Sequence, residues 1–279
     1  MTGSRTAEGG GMGAAPPERP RRRSVWIVLA ALTAMVVVVP TGVTTLGEVL
    51  ERTASATEIV PGAITAVEVD AGAASVAVGA GATGRTRLHS TLRWSVRRPQ
   101  VIKSVQARVL KILVVCGEDE TPFAGFGCEA ELDLQVPPAV SLRVQTTSGQ
   151  VDVRDIAGDV RIQGSSGEVR LANLRGRIWA GANSGTIAGK GLLSPEVDAG
   201  VRSGSIDLAF ADPPAKVSVR TGSGGAVVTV PRGSHYRVDG ETRSGGREID
   251  GALKDDAATG QISATTGSGS VRIGYPEGR

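Results

Sequence analysis

Short stretches in which apolar and polar residues alternate are the dominant pattern of this chain. In residues 86–97, Leu88 and Leu92 fall on one face, whereas Arg87 and Arg93 fall on the other. A period of two residues is that of a half-buried β-strand. The same reasoning predicts strands at residues 64–69, 75–78, 105–115 and 131–136. The pattern therefore indicates an all-β protein.

The pair Ser-Gly recurs along the second half of the chain, each time beside an alternating stretch. It stands at Ser148-Gly149, Ser166-Gly167, Ser184-Gly185, Ser203-Gly204, Ser223-Gly224, Ser244-Gly245 and Ser268-Gly269. Further short strands, such as residues 160–162 and 177–179, lie between the early pairs. Each repeat of about 18–20 residues thus carries two strands and two turns. Glycine suits these turns because a tight reversal often demands a positive φ, and serine can bond the turn backbone.

Such a repeat predicts a β-solenoid, or β-helix-like stack, of Ser-Gly-punctuated strands. We expect one transmembrane helix before it and assign the stack to residues 59–275. Residues 59–146 would form its N-terminal portion, and residues 147–275 would carry the Ser-Gly repeats.

The N-terminal segment has the composition of a membrane anchor with a cytoplasmic tail. Residues 1–24 are rich in Gly, Pro and Arg and predict a disordered basic tail. Residues 25–46 carry no charge, which is about enough to cross a hydrocarbon core of ~30 Å. The arginines at 19–23 orient the tail toward the cytoplasm and the remaining chain toward the outside. Residues 47–58 would form a short polar stalk. A helix is one interpretation of its structure.

A cleaved signal peptide is the first alternative interpretation of the same segment, and a buried core helix is the second. The residues Ala54-Ser55-Ala56 have the small-x-small pattern of a cleavage site. However, they lie further past the apolar run than such a site usually does. We therefore expect an uncleaved single-pass anchor.

The two cysteines, Cys116 and Cys128, flank a loop that contains glycine and proline. In an exported protein, two cysteines at the ends of adjacent strands favour one disulfide. A metal site and two free thiols are the alternatives, although no histidine lies near either cysteine.

Composition and charge exclude several classes of protein. Aromatic residues make up only 3% of the chain, so the core must be built from Val, Ile, Leu and Ala. The net charge of +3 lies in residues 1–24, where five arginines face two glutamates. The excess of positive charge belongs to a tail and not to a folded face, so we expect no nucleic acid as a partner.

Residues 71–117 hold eight Lys or Arg and no acidic residue. The plain interpretation is a solvated strand face, paired in part with the acids of residues 118–133. The functional interpretation is a basic surface near the membrane that contacts anionic lipid headgroups or an anionic wall polymer. Its candidate residues are Arg87, Arg93, Arg97, Arg98 and Lys103.

The sequence carries no recognisable catalytic or cofactor motif. The histidines, His89 and His235, have no Cys, Asp or Glu at ligand spacing, which argues against a metal site or a Ser-His nucleophile. The acids near the turns, such as Asp152, Glu168 and Asp207, could align by stacking. We interpret them as partners of surface arginines, with a cation-binding ladder or a glycosidase pair as alternatives. We expect no enzyme activity, no metal and no cofactor.

The repeats at residues 147–153 and 164–171 resemble those of the bacterial putative-adhesin family of unknown function, the DUF4097 type, and in particular its membrane-anchored actinobacterial members. The resemblance covers roughly residues 60–275. It implies a β-solenoid-like envelope protein, linked in some lineages to envelope stress.

The expected function is therefore that of a non-enzymatic protein of the cell membrane with an extracellular domain. This domain would serve adhesion or bind an envelope partner, either a protein or an anionic cell-wall polymer. An envelope-stress sensor is the alternative, and a carbohydrate-active β-helix enzyme is a further one.

Overall fold

The computed structural model describes Leu29, Thr33 and residues 52–82, 84–95, 97–116 and 128–276. The chain divides into two compact units, Met1–Leu50 and Glu51–Arg279, and nearly all described residues belong to the second. These residues form 19 strands of one sheet and one short 3₁₀ helix. The elements are β1 (Arg52–Val60), β2 (Ala66–Asp70), β3 (Ser75–Ala80), β4 (Thr86–Trp94), β5 (Gln100–Gln106), β6 (Val109–Val115), β7 (Cys128–Val136), β8 (Ser141–Thr146), β9 (Val151–Arg154), β10 (Val160–Gly164), β11 (Glu168–Ala172), β12 (Ile178–Leu192), β13 (Glu196–Phe210), β14 (Lys216–Ser223), β15 (Ala226–Thr229), β16 (Arg237–Ser244), β17 (Arg247–Ile249), the 3₁₀ helix Gly251–Leu253, β18 (Gln261–Ser268) and β19 (Val271–Gly274).

The strands are hydrogen-bonded in two long rows. The first ladder has the order β5-β6-β2-β8-β10-β12-β13-β14-β18-β16. The second ladder has the order β1-β4-β7-β3-β9-β11-β12-β13-β15-β19-β17. Strands β12 and β13 run through both ladders, which joins them into one large, strongly curled mixed sheet. The predicted all-β class is confirmed.

Parallel pairing dominates both ladders. The antiparallel pairings of the described strands are β1–β4, β4–β7 and β5–β6, all at the N-terminal end. From β8 onward each repeat contributes to both ladders, either as two strands or, in β12 and β13, as one long strand, and it pairs in register with its neighbours in the stack. The predicted unit of two strands is seen in the β8–β9, β10–β11, β14–β15, β16–β17 and β18–β19 repeats, whereas β12 and β13 are each one long strand.

The repeats do not stack in the order of the chain. Strands β2 and β3 lie between the β6–β7 pair and the β8–β9 pair. At the other end, β18 and β19 lie between the β14–β15 pair and the β16–β17 pair. The last two strands in sequence are therefore interior strands of the stack.

The core follows from the alternation along each strand. In β8, Leu142 and Val144 are buried, whereas Ser141, Arg143 and Gln145 are exposed. The buried Val, Ile and Leu side chains of both ladders form one hydrophobic cluster. We call the opposite face of each ladder, which carries the alternate residues, its outer face.

Two sequence predictions are wrong near the N-terminal end. Residues 105–115 are not one strand, because Ala107 and Arg108 both have positive φ and make the turn between β5 and β6. This turn lacks the glycine or asparagine that usually marks it. The predicted stalk is also wrong for residues 52–58, which belong to β1 and pair with β4 through backbone hydrogen bonds.

The predicted anchor at residues 25–46 lies outside the described residues, apart from Leu29 and Thr33, as does the tail at residues 1–24. Within the part of the chain that the structure describes, no helix has the length and apolar character needed to span a membrane.

Cys116 and Cys128 form the predicted disulfide. Cys116 directly follows β6 and Cys128 begins β7, so the bond links the two ladders at one end of the stack. Since the sequence separation is 12 residues, the bond restricts the unfolded chain over a short loop.

Replacing both cysteines with alanine is expected to lower the free energy of unfolding by about 2–3 kcal/mol. Urea unfolding of the oxidised protein measures this difference. Wild-type protein unfolded with a reductant is the control and should match the double variant. Equal midpoints for the variant and the oxidised wild type would contradict the prediction.

Candidate functional site

The outer face of the first ladder holds two adjoining cavities of about 690 and 580 Å³. Trp179, Asp198 and Arg220 line both of them. We call this pair of cavities the Trp179 groove. Its volumes lie in the range of about 300–1,000 Å³ that is usual for ligand sites.

Register places the groove residues in rows across the strands. One row contains Arg143, Arg161, Trp179 and Asp198, which are direct partners on β8, β10, β12 and β13. A second row, two residues further along each strand, contains Gln145, Gln163, Gly181 and Gly200. These residues point outward because side chains alternate between the two faces of a strand.

Trp179 lies at the centre of the groove. The guanidinium carbon of Arg161 is 3.9 Å from the centroid of its ring. A Cβ atom at Gly181 would come within 3.0 Å of the same ring. The absence of a side chain at residue 181 therefore leaves room for the indole.

Ion pairs occupy two sides of the groove. Arg177 donates to Asp159 at 2.8 Å, and Arg220 donates to Asp198 at 2.6 Å. The hydrogen bond from the Arg177 side chain, and a second one from its backbone N–H, lower the pKa of Asp159. Asp159 in turn raises the pKa of Arg177, so the pair stays charged at neutral pH.

The middle of the groove is different, because two cations there lack acidic partners. Among the described residues, the Arg143 side chain makes no hydrogen bond or ion pair, and the Arg161 side chain interacts with the Trp179 ring alone. The nearest acid in register with Arg143 is Glu68, whose carboxylate is 3.1 Å from Lys111. The groove thus presents two guanidinium groups whose N–H donors are unused.

The groove is not among the sites predicted from the sequence. Arg161 and Trp179 belong to the short strands predicted at residues 160–162 and 177–179, with no binding role assigned to either. A usable signal was present, since Arg143, Arg161, Trp179 and Asp198 are spaced 18, 18 and 19 residues apart. That is the spacing of the Ser-Gly repeats, so residues at this interval share a row.

The predicted basic surface lies elsewhere, at the N-terminal end of the stack. Arg87 donates to Gln135 at 3.1 Å, and Arg93 is 3.2 Å from Glu129. Lys103 pairs with Glu58 and joins β5 to β1, while Arg98 lies 5.3 Å from the centroid of the Trp94 ring. Arg97 is exposed just after β4. Contact with an anionic surface through these residues stays a prediction.

The acids near the turns do not form an unbroken ladder. Arg170 is the direct partner of Asp152, and Ala188 stands between Arg170 and Asp207. Glu168 pairs with Arg170 at 2.5 Å. Within the described ranges, no group of three His, Cys, Asp or Glu side chains is placed to hold a metal ion.

Several solved structures are similar to this chain at low identity. A putative adhesin from Parabacteroides distasonis is 13% identical with a TM-score of 0.42, and one from Bacteroides fragilis is 10% identical with a TM-score of 0.41. Each similarity covers 79% of this chain and 97% of the other. A putative cell adhesion protein from Clostridium sporogenes is 10% identical over 81% of this chain and all of its own, with a TM-score of 0.36.

No curated protein matches the chain. A family model described as Toastrack DUF4097 matches residues 131–275, which include β8 to β19 and most of β7. Because the match covers more than half of its residues, the chain belongs to the Toastrack DUF4097 family, a domain family of unknown function.

Proposed function

We propose that the protein is a non-enzymatic binding protein of the cell envelope. Residues 25–46 anchor it in the cell membrane by a single pass, residues 1–24 form a cytoplasmic tail, and residues 59–275 lie outside the cell. The domain acts as a β-solenoid that presents an extended surface to an envelope partner, in the manner of an adhesin.

The Trp179 groove is the observation that carries this proposal. It is a wide concave site built on paired strands, which hold its side chains at fixed spacings of about 4.8 Å. It combines an aromatic ring, unused hydrogen-bond donors and ion pairs, which is the composition of a recognition site.

Two further observations support placement outside the cell. The disulfide between Cys116 and Cys128 is of a kind that persists in oxidising compartments. The uncharged run at residues 25–46 follows an arginine cluster, as the positive-inside rule requires for this orientation.

Binding of the purified full chain to isolated envelopes of the producing bacterium tests the proposal. We expect saturable binding. Its affinity should fall at least tenfold in Trp179→Ala and change less than twofold in Arg202→Gln. Arg202 is exposed and lines neither cavity of the groove, so it is a matched surface control. Undiminished envelope binding by Trp179→Ala would overturn the role of the groove.

Membranes of the same bacterium are used to test the proposed anchor at residues 25–46. After alkaline extraction of membranes, the full chain should stay in the membrane fraction, and a chain that lacks residues 25–46 should not. Recovery of the full chain in the soluble fraction would overturn the membrane assignment.

A further inference from the structure

Arg143 and Arg161 are direct neighbours on paired parallel strands of the Trp179 groove. Like charges directly opposite each other in a sheet are destabilising. Among the described residues no carboxylate within ion-pair distance offsets this repulsion. The arrangement therefore favours an anionic ligand that bridges the two guanidinium groups.

Stacking on Trp179 holds the Arg161 guanidinium in an orientation that suits such a ligand. A guanidinium that stacks on an aromatic ring keeps its N–H donors in its own plane, free to bind a carboxylate or phosphate through two hydrogen bonds. The stacking also fixes the side chain, so less conformational entropy is lost when the ligand binds.

The charge balance of the groove decides which anion fits. Five cationic and four acidic side chains line the larger cavity. A nucleic acid or a polyphosphate, with a negative charge on every unit, would meet repulsion from these acids, which include Asp159, Glu196 and Asp198. A ligand with sparse negative charge and many hydroxyl groups would not.

The remaining polar groups suit hydroxyls. Gln145 and Gln163 line the smaller cavity and can both donate and accept hydrogen bonds, while Asp198 lines both cavities and accepts them. Trp179 offers an apolar ring surface beside them. The row from Arg143 to Asp198 spans three strand spacings, or roughly 14 Å, so it can hold an oligosaccharide rather than a single sugar.

We infer that the Trp179 groove binds an acidic glycan, with a sugar carboxylate held by Arg143 and Arg161 and a sugar ring packed against Trp179. This inference rests on the proposed function and names the class of its ligand. Charge pairing at this exposed site is screened by salt, so the affinity should fall as ionic strength rises.

Titration of the purified full chain with tetrasaccharides of hyaluronate, unsulfated chondroitin and heparosan, in which only every second sugar carries a carboxylate, tests the inference. Binding is followed by Trp fluorescence and calorimetry. We expect at least one uronate probe to bind at least tenfold more tightly than maltotetraose, a neutral probe of the same length. We expect Arg143→Gln and Arg161→Gln each to weaken that binding at least tenfold, and Arg202→Gln to leave it within twofold. Arg143 is exposed, so its variant should fold.

Three results would overturn the inference: no binding of any uronate probe, equal binding of maltotetraose, or full affinity in Arg143→Gln. A glycerol phosphate hexamer that binds more tightly than every uronate would also overturn the inference. It would show that the groove prefers a phosphate polymer to a glycan with carboxylates. If Trp179→Ala abolishes envelope binding while no uronate binds, the proposed function stands and this inference fails. If envelope binding does not depend on Trp179, the proposed function fails first.

Discussion

Gly204→Ala is expected to lower the free energy of unfolding by about 3 kcal/mol or more. Gly204 has φ of 138°, which side chains with a Cβ rarely adopt, and an added Cβ would lie 1.8 Å from the carbonyl oxygen of Gly185. The turn backbone would have to move, and it is held by pairing with strands on both sides. Denaturant unfolding followed by far-UV circular dichroism measures the loss.

Gly200→Ala is the matched control, since Gly200 lies four residues earlier in the same strand, β13. A Cβ there would meet only the Arg220 carbonyl oxygen, at 3.9 Å, and the φ of Gly200 lies outside the left-handed region. We expect the free energy of unfolding to change by no more than about 1 kcal/mol, in the stabilising direction because alanine restricts the unfolded chain. A similar loss in both variants would show that close stacking of the turns is not the cause.

Gly204 is one member of a column that runs along the stack. A Cβ on each Ser-Gly glycine would lie 1.8–2.5 Å from the carbonyl oxygen of the neighbouring repeat. In spatial order the column is Gly149, Gly167, Gly185, Gly204, Gly224, Gly269 and Gly245. Gly269 precedes Gly245 in this order, which agrees with the exchanged positions of the last two repeats.

Removal of residues 261–279 is expected to destabilise the domain by more than about 4 kcal/mol. The deletion removes β18 and β19, which pair with β14 and β15 on one side and with β16 and β17 on the other. In a stack where each repeat contacts only its neighbours, loss of an interior repeat breaks two interfaces. Thermal unfolding and hydrogen exchange of residues 237–249 measure the effect, and those amides should lose protection.

A deletion of residues 277–279 alone keeps every described strand and is the control for this experiment. The longer deletion can prevent folding altogether. Ile262→Ala and Ile273→Ala are therefore milder tests of the same strands, and each should lower the free energy of unfolding by about 2–4 kcal/mol. Both side chains are buried. Retained protection of residues 237–249 in the longer deletion would contradict the interior position of β18 and β19.

The cations that lack acidic partners in the groove do not lie in the most basic stretch of the sequence. Residues 71–117 hold the largest run of cations, yet Arg93 and Lys103 pair with glutamates in the folded domain. Arg143 and Arg161 lie in a stretch of mixed charge, where charge alone does not distinguish them and only their 18-residue spacing relates them to each other. The pairing of strands decides which cations have an acidic partner, because the acids that pair with Arg93 and Lys103 come from other strands.

The sequence by itself determined the local features of the protein. Alternation of period two decided which side chains of β3, β4 and β7 face the core, since successive residues of a strand point to opposite faces. The Ser-Gly spacing likewise determined the two-strand repeat. Six of the seven Ser-Gly glycines have positive φ, as the turns require.

Only the tertiary structure decided the order in which the repeats stack and the residues that meet in the Trp179 groove. All repeats carry nearly the same Val and Ile alternation, so any of them could pair with any other as far as the pattern shows. Their order depends on non-local contacts, such as the insertion of β18 between β14 and β16. Those same contacts place Arg143 beside Arg161 and Arg161 on Trp179, and thus create the site that we propose for the ligand.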